Sequence, residues 1–134
     1  MDRLFLDANV LFSAAYREGA GVARLWELPN AILVTSEFAI EEARRNLSEG
    51  DQIERLNALV AALEITTAGS LGERLRGDIE LPEKDWPILG GAVGAGATHL
   101  ITGDVKHFGP HYGQKLLGVL VLSPAAYLRS GSEP

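Results

Sequence analysis

Residues 81–109 read LPEKDWPILGGAVGAGATHLITGDVKHFG, and this stretch decides how the rest of the chain is arranged. After Asp85, the apolar residues Ile88, Leu89 and Ala92 recur at i+3, i+4 and i+7, the spacing of one helix face. Asp85 therefore heads the stripe that should be buried. Residues 98–102 (THLIT) then read as a short strand, with Gly103 as a breaker and Asp104 just beyond it. A carboxylate at the head of a buried stripe and another past the carboxyl end of a strand can reach one place.

Upstream, the same grammar repeats. Residues 3–7 (RLFLD) are a short apolar run ending in an acid, and a helix begins at Asn9. Residues 19–28 suggest a short helix stopped by Pro29 and Asn30. Residues 31–35 (AILVT) form a second strand with almost no polar alternation, as expected where both faces are covered. Ser36 caps a helix whose stripe is Ile40, Ala43 and Leu47. A helix over 51–63, a strand over 64–67 and a short helix over 71–76 follow. Past the opening stretch, residues 118–123 (GVLVLS) supply a fifth strand, and residues 124–129 a last helix.

Strands separated by helical patterns imply a parallel sheet of about five strands inside an α/β three-layer sandwich. One domain over residues 1–130 accounts for the chain, with 131–134 as a frayed tail. In such sheets, ligands bind beyond the strands' carboxyl ends, where strand order reverses. Asp7 and Asp104 both follow strand ends, so neighbouring strands one and four would aim them into one crevice.

Composition narrows the function. The 134 residues are 46% hydrophobic and 22% charged, as in an ordinary globular chain. With no cysteine, disulfides, thiolate metal sites and thiol catalysis are excluded, which fits a reducing, cytoplasmic setting. Asp2, Arg3 and Asp7 interrupt any signal-peptide core, and the weakly polar run 87–102 is too short and glycine-rich to span a membrane. A net charge of −6 argues against a general nucleic-acid coat but leaves room for a cation-requiring site.

Four acids form the candidate site: Asp7, Glu42, Asp85 and Asp104. Each also has a local reading. Asp7 and Asp85 can cap helices, Asp104 can stabilise a turn, and Glu42 can pair with Arg45 on the surface. Together they demand more. Two like charges ~4 Å apart repel by roughly 4 kcal/mol at an effective dielectric near 20, so a shared crevice needs a cation, raised pKa values, or both. Mg2+ or Mn2+ suits carboxylate oxygens, and two such ions can clamp a phosphodiester. The three histidines at 99, 107 and 111 are scattered, which disfavours zinc.

The residues at 6–11 (LDANVL), Ser36 with 42–47 (EARRNL), 84–89 (KDWPIL) with Ala92, 100–108 (LITGDVKHF), and Val121 with Ser123 and Pro124 together resemble a PIN domain of the VapC-type toxin ribonucleases. The resemblance spans nearly the whole chain. It implies a sheet of order 3-2-1-4-5 with an acidic pocket at the strand ends, and divalent-metal-dependent cleavage of RNA. On matching positions, Asp7, Glu42, Asp85 and Asp104 correspond to the family's catalytic, metal-holding acids, and Asn9 and Thr102 to its polar supports. A small antitoxin that covers the pocket with a basic side chain, and a homodimer, are further implications.

Lys106 and His107 are candidate RNA contacts, with a plain surface role equally open. Trp86 fits core packing better than base stacking. The glycines at 90, 91, 94 and 96 are more numerous than expected, and close packing on the sheet would explain them; their order does not match a dinucleotide fingerprint. The rival reading is a non-catalytic PIN-like module that binds RNA or a protein partner, against which the presence of all four acids weighs. A phosphate-accepting receiver domain lacks its expected lysine after the fifth strand.

Overall fold

A computed structural model describes residues 1–67 and 71–131. Six strands form one sheet: β1 (Asp2–Leu6), β2 (Ala31–Ser36), β3 (Glu64–Thr66), β4 (His99–Ile101), β5 (Lys115–Leu116) and β6 (Val119–Leu122), in the order β3-β2-β1-β4-β6-β5. All neighbours pair in parallel except β5 and β6. The expected order 3-2-1-4-5 is thus that of the parallel strands, with β6 as the fifth. The correction is the antiparallel edge strand β5. It is joined to β6 by Leu117 (φ 53) and Gly118 (φ 85), two residues with positive φ as a tight hairpin turn requires. Leucine is an unusual residue there, which hid the turn.

Helices α1 (Ala8–Tyr16), α2 (Glu37–Asn46), α3 (Gly50–Val60), α4 (Glu73–Arg76), α5 (Trp86–Gly94) and α6 (Pro124–Gly131) flank the sheet. Leu4, Phe5 and Leu6 of β1 are fully buried. Since successive strand side chains point to opposite faces, both faces of β1 must be covered, which is why its sequence lacks alternation. Phe5 lies against α5, where a Cβ on Gly91 would come within 3.0 Å of its ring. Close packing therefore explains Gly91; Gly94 has nothing within 4 Å of its Cβ position, and Gly96 (φ +67) sits just past the helix end.

Smaller differences are local. The helix expected over 19–28 is a 3-10 segment, Gly21–Glu27, and the fourth strand is shorter than expected. Helix α6 reaches Gly131; the rest of the expected tail, residues 132–134, lies outside the described residues. No helix among the described residues is long and apolar enough to cross a membrane.

The sheet's order reverses at β1, between β2 and β4. The main chain of Asp7 donates to Ile101 O at 3.0 Å, so the two strand ends are held side by side. This is the crevice position at which such folds bind ligands.

Candidate active site at the sheet switch point

Asp7 is the first residue beyond β1. Its Oδ1 accepts from Ala8 N at 2.6 Å, so it does cap α1. Its Oδ2 accepts from the Thr102 hydroxyl at 2.8 Å and the Asn9 amide at 3.2 Å. Asn9 Oδ1 in turn accepts from Gly103 N at 2.7 Å, and Thr102 Oγ1 from Asp104 N at 3.1 Å. Asn9 and Thr102 thus tie the acid after β1 to the loop after β4. Only 4% of Asp7 is exposed. Burial pushes its carboxyl up to about 6, against the lowering effect of the Thr102 and Ala8 hydrogen bonds; the charges of Glu42 and Asp85 add to the rise.

Asp104 Oδ1 accepts from His107 N at 3.1 Å, which closes a turn and frees Oδ2. The turn reading of Asp104 is therefore correct as well. Asp85 ends a 3-10 turn, Glu83–Asp85, directly before α5, and is 8% exposed. Its side chain makes no capping hydrogen bond, so the cap reading of Asp85 fails. Burial raises its pKa, His107 and Lys84 oppose the rise, and Asp104 adds to it.

Between these two acids stands a residue whose place the sequence did not reveal. His107 Nδ1 lies 2.9 Å from Asp85 Oδ2 and 3.1 Å from Asp104 Oδ2. One donor atom from each of the three residues falls within 4.8 Å of the others. The imidazole Nδ1 faces the two carboxylates, while the residue also lines the adjoining groove. Only the i+3 spacing from Asp104 hinted at this.

Glu42 sits on α2, half-buried, beside a cavity of about 380 Å3 that it lines with Ala8, Asn9, Phe12, Ala43 and Asn46. The surface pair with Arg45 that its spacing allows is absent among the described residues, whereas exposed Glu41 does pair with Arg44. Glu42 shares a cavity wall with Ala8 and Asn9 and its charge acts on Asp7, but among the described residues neither Glu42 nor Asp7 belongs to the close group formed by Asp85, Asp104 and His107.

Next to the acids opens a wider groove of about 740 Å3, whose lining includes Arg76, Trp86, Lys106, His107 and His111. Trp86 is buried, donates Nε1–H to Leu81 O at 3.2 Å, and carries the Arg76 guanidinium 4.5 Å over its ring. It is a packing residue. Lys106 is exposed on the groove wall. Tyr112, not anticipated as part of the site, donates its hydroxyl to Thr102 O at 2.7 Å and braces the loop.

The sheet order and flanking helices make the fold a PIN-like α/β one. Solved structures carry the same fold. The VapBC2 complex of Rickettsia felis, bound to a DNA fragment from its promoter, matches with TM-score 0.66 at 15% identity over 90% of this chain and 98% of that one. VapBC-1 of nontypeable Haemophilus influenzae matches with TM-score 0.57 at 18% identity, over 92% and 98%. VapC20 of Mycobacterium tuberculosis, a toxin that cleaves the sarcin-ricin loop, matches with TM-score 0.52 at 16% identity, over 75% and 91%. No family model and no curated protein matches the sequence.

Proposed function

We propose that this chain is a divalent-metal-dependent endoribonuclease of the VapC kind, the toxin half of a toxin–antitoxin pair. The observation that supports the reading is the gathering of Asp85, Asp104 and His107 donor atoms within 4.8 Å, with Asp7 tied to the Asp104 loop through Thr102 and feeling the charges of Asp85 and Glu42. Buried carboxylates of one sign are unfavourable together unless a cation joins them. The donor set fits one: Asp85 Oδ2 and His107 Nδ1 are buried and close together, yet neither makes a hydrogen bond of good geometry.

Asp7, Asp85 and Asp104, with Glu42, would hold Mg2+ or Mn2+. When bound, the ion supplies Lewis acidity toward a phosphodiester and the charge that offsets the crowded acids. The protein's own contributions are positional. Asn9 and Thr102 fix the orientation of Asp7, and the His107 main chain fixes Asp104. In this reading Glu42, which lines the neighbouring cavity, would orient an attacking water and take its proton. Lys106 and His111 on the adjoining groove offer cationic or hydrogen-bonding contacts to the RNA backbone.

An antitoxin partner is supported by the VapBC assemblies among the structures of this fold. The chemistry is complementary: a basic side chain from such a partner would satisfy the same acids. The test is RNA cleavage with added manganese, comparing the native protein with Asp7→Asn and Asp104→Asn. Cleavage should fall by two orders of magnitude or more in each variant; unchanged cleavage would refute the proposal.

A further inference from the structure

We infer that His107 is itself a metal ligand, so that the site is a mixed nitrogen–oxygen one favouring a first-row transition dication over magnesium. The inference rests on the function proposed above and adds a ligand to it.

Three observations lead there. His107 Nδ1 stands within 3.1 Å of carboxylate oxygens from two separate segments, Asp85 before α5 and Asp104 after β4. His107 Nδ1 and Asp85 Oδ2 are both buried and lie 2.9 Å apart, yet neither makes a hydrogen bond of good geometry, and the Nδ1 contact with Asp104 Oδ2 at 3.1 Å does not supply one. The Asp85 Oδ2 atom is itself shut off from solvent, so water does not satisfy it. Meanwhile the His107 main chain is anchored on Asp104 Oδ1, which directs the ring and Asp104 Oδ2 into the same space. A dication between the three atoms satisfies all of them together. Buried polar atoms without partners are uncommon, and each needs such an explanation.

The consequence is chemical. Magnesium requires near-ideal octahedral oxygen coordination and gives up its waters reluctantly, whereas an imidazole nitrogen suits first-row transition ions. Replacing one oxygen donor by Nδ1 therefore penalises magnesium more than manganese.

The experiment uses manganese as the probe, with electron spin-echo spectroscopy reading nitrogen coupling to the bound ion. The full chain should bind Mn2+ and show imidazole nitrogen coupling. The coupling should vanish in His107→Gln and persist in His99→Gln and His111→Gln. In His107→Asp, which restores an oxygen donor, the preference for manganese over magnesium should drop by about tenfold, consistent with the usual cost of altering a metal's surroundings. Bound manganese without nitrogen coupling would overturn the inference and leave the nuclease reading standing; an imidazolium that merely neutralises the two acids gives that result. Coupling that survives in folded His107→Gln, or an unchanged metal preference in His107→Asp, would overturn it as well. No manganese binding at all would defeat both readings.

Discussion

The Thr102 hydroxyl donates to Asp7 Oδ2 at 2.8 Å across a sequence separation of 95 residues, and in doing so joins the ends of the two central strands at the site. Thr102 is fully buried, and its Oγ1 also accepts from Asp104 N and the Asn9 amide. One hydroxyl thus holds two of the candidate metal-binding acids in register.

Thr102→Val keeps the shape and removes the hydroxyl. Leaving buried polar partners unsatisfied costs ~1–3 kcal/mol, so urea unfolding should show a loss of that size. Thr102→Ser, which retains the oxygen, should recover most of it. If valine matches wild type in both stability and manganese affinity, the hydroxyl is not holding the site together.

The pH dependence follows from Asp7. Its carboxyl is raised from 3.8 to about 6 on folding, so between those values the native state binds more protons than the unfolded chain. Stability is then fully present below about pH 4 and is lost as pH rises through 6. The shift corresponds to ~3 kcal/mol at neutral pH, with Asp85 acting in the same direction. In metal-free protein, Asp7→Asn should therefore flatten the stability profile between pH 4 and 7 and raise the melting temperature at pH 8. Manganese should raise the melting temperature of the native protein and do little for the variant. A variant less stable than wild type at pH 8 would contradict this.

Two glycines of α5 should respond oppositely to alanine. At Gly91 the new methyl would meet the Phe5 ring at 3.0–3.1 Å, so overpacking should destabilise by ~1–3 kcal/mol. At Gly94 the space is open, and helix propensity should make alanine stabilising by ~0.5–1 kcal/mol. Thermal unfolding of both variants decides the matter; equal effects would mean that α5 does not rest on Phe5 as described.

Glu41 and Glu42 provide a matched pair on one helix. Glu42→Gln should reduce RNA cleavage by about 100-fold, the scale of an acid–base contribution, with stability nearly unchanged. Glu41→Gln breaks only an exposed pair with Arg44, worth at most ~1 kcal/mol, and should leave cleavage intact. The reverse pattern would reassign the residue.

Much of this arrangement was legible in the sequence because burial on both sides of β1 and β2 leaves uninterrupted apolar runs, and acids directly after such runs land at the crevice. Glu42 stands beside the buried Ile40 and Ala43 of α2, lines a cavity with Asn9 and acts on Asp7 through its charge, whereas Glu41 is exposed. Local readings of Asp7 and Asp104 as cap and turn were also correct: the same hydrogen bonds that shape the backbone aim the remaining oxygens. What stayed hidden depended on tertiary contact or unusual backbone. His107 meets Asp85 only once α5 and the loop after β4 are packed together, and the β5–β6 hairpin turns on a leucine with positive φ.

The most direct test of the central claim is anomalous diffraction from crystals of the protein grown with manganese. The account predicts a manganese peak in the crevice bounded by Asp7, Asp85 and Asp104, absent in Asp7→Asn crystals grown the same way. Manganese bound only elsewhere on the surface, with the crevice filled by water alone, would contradict it.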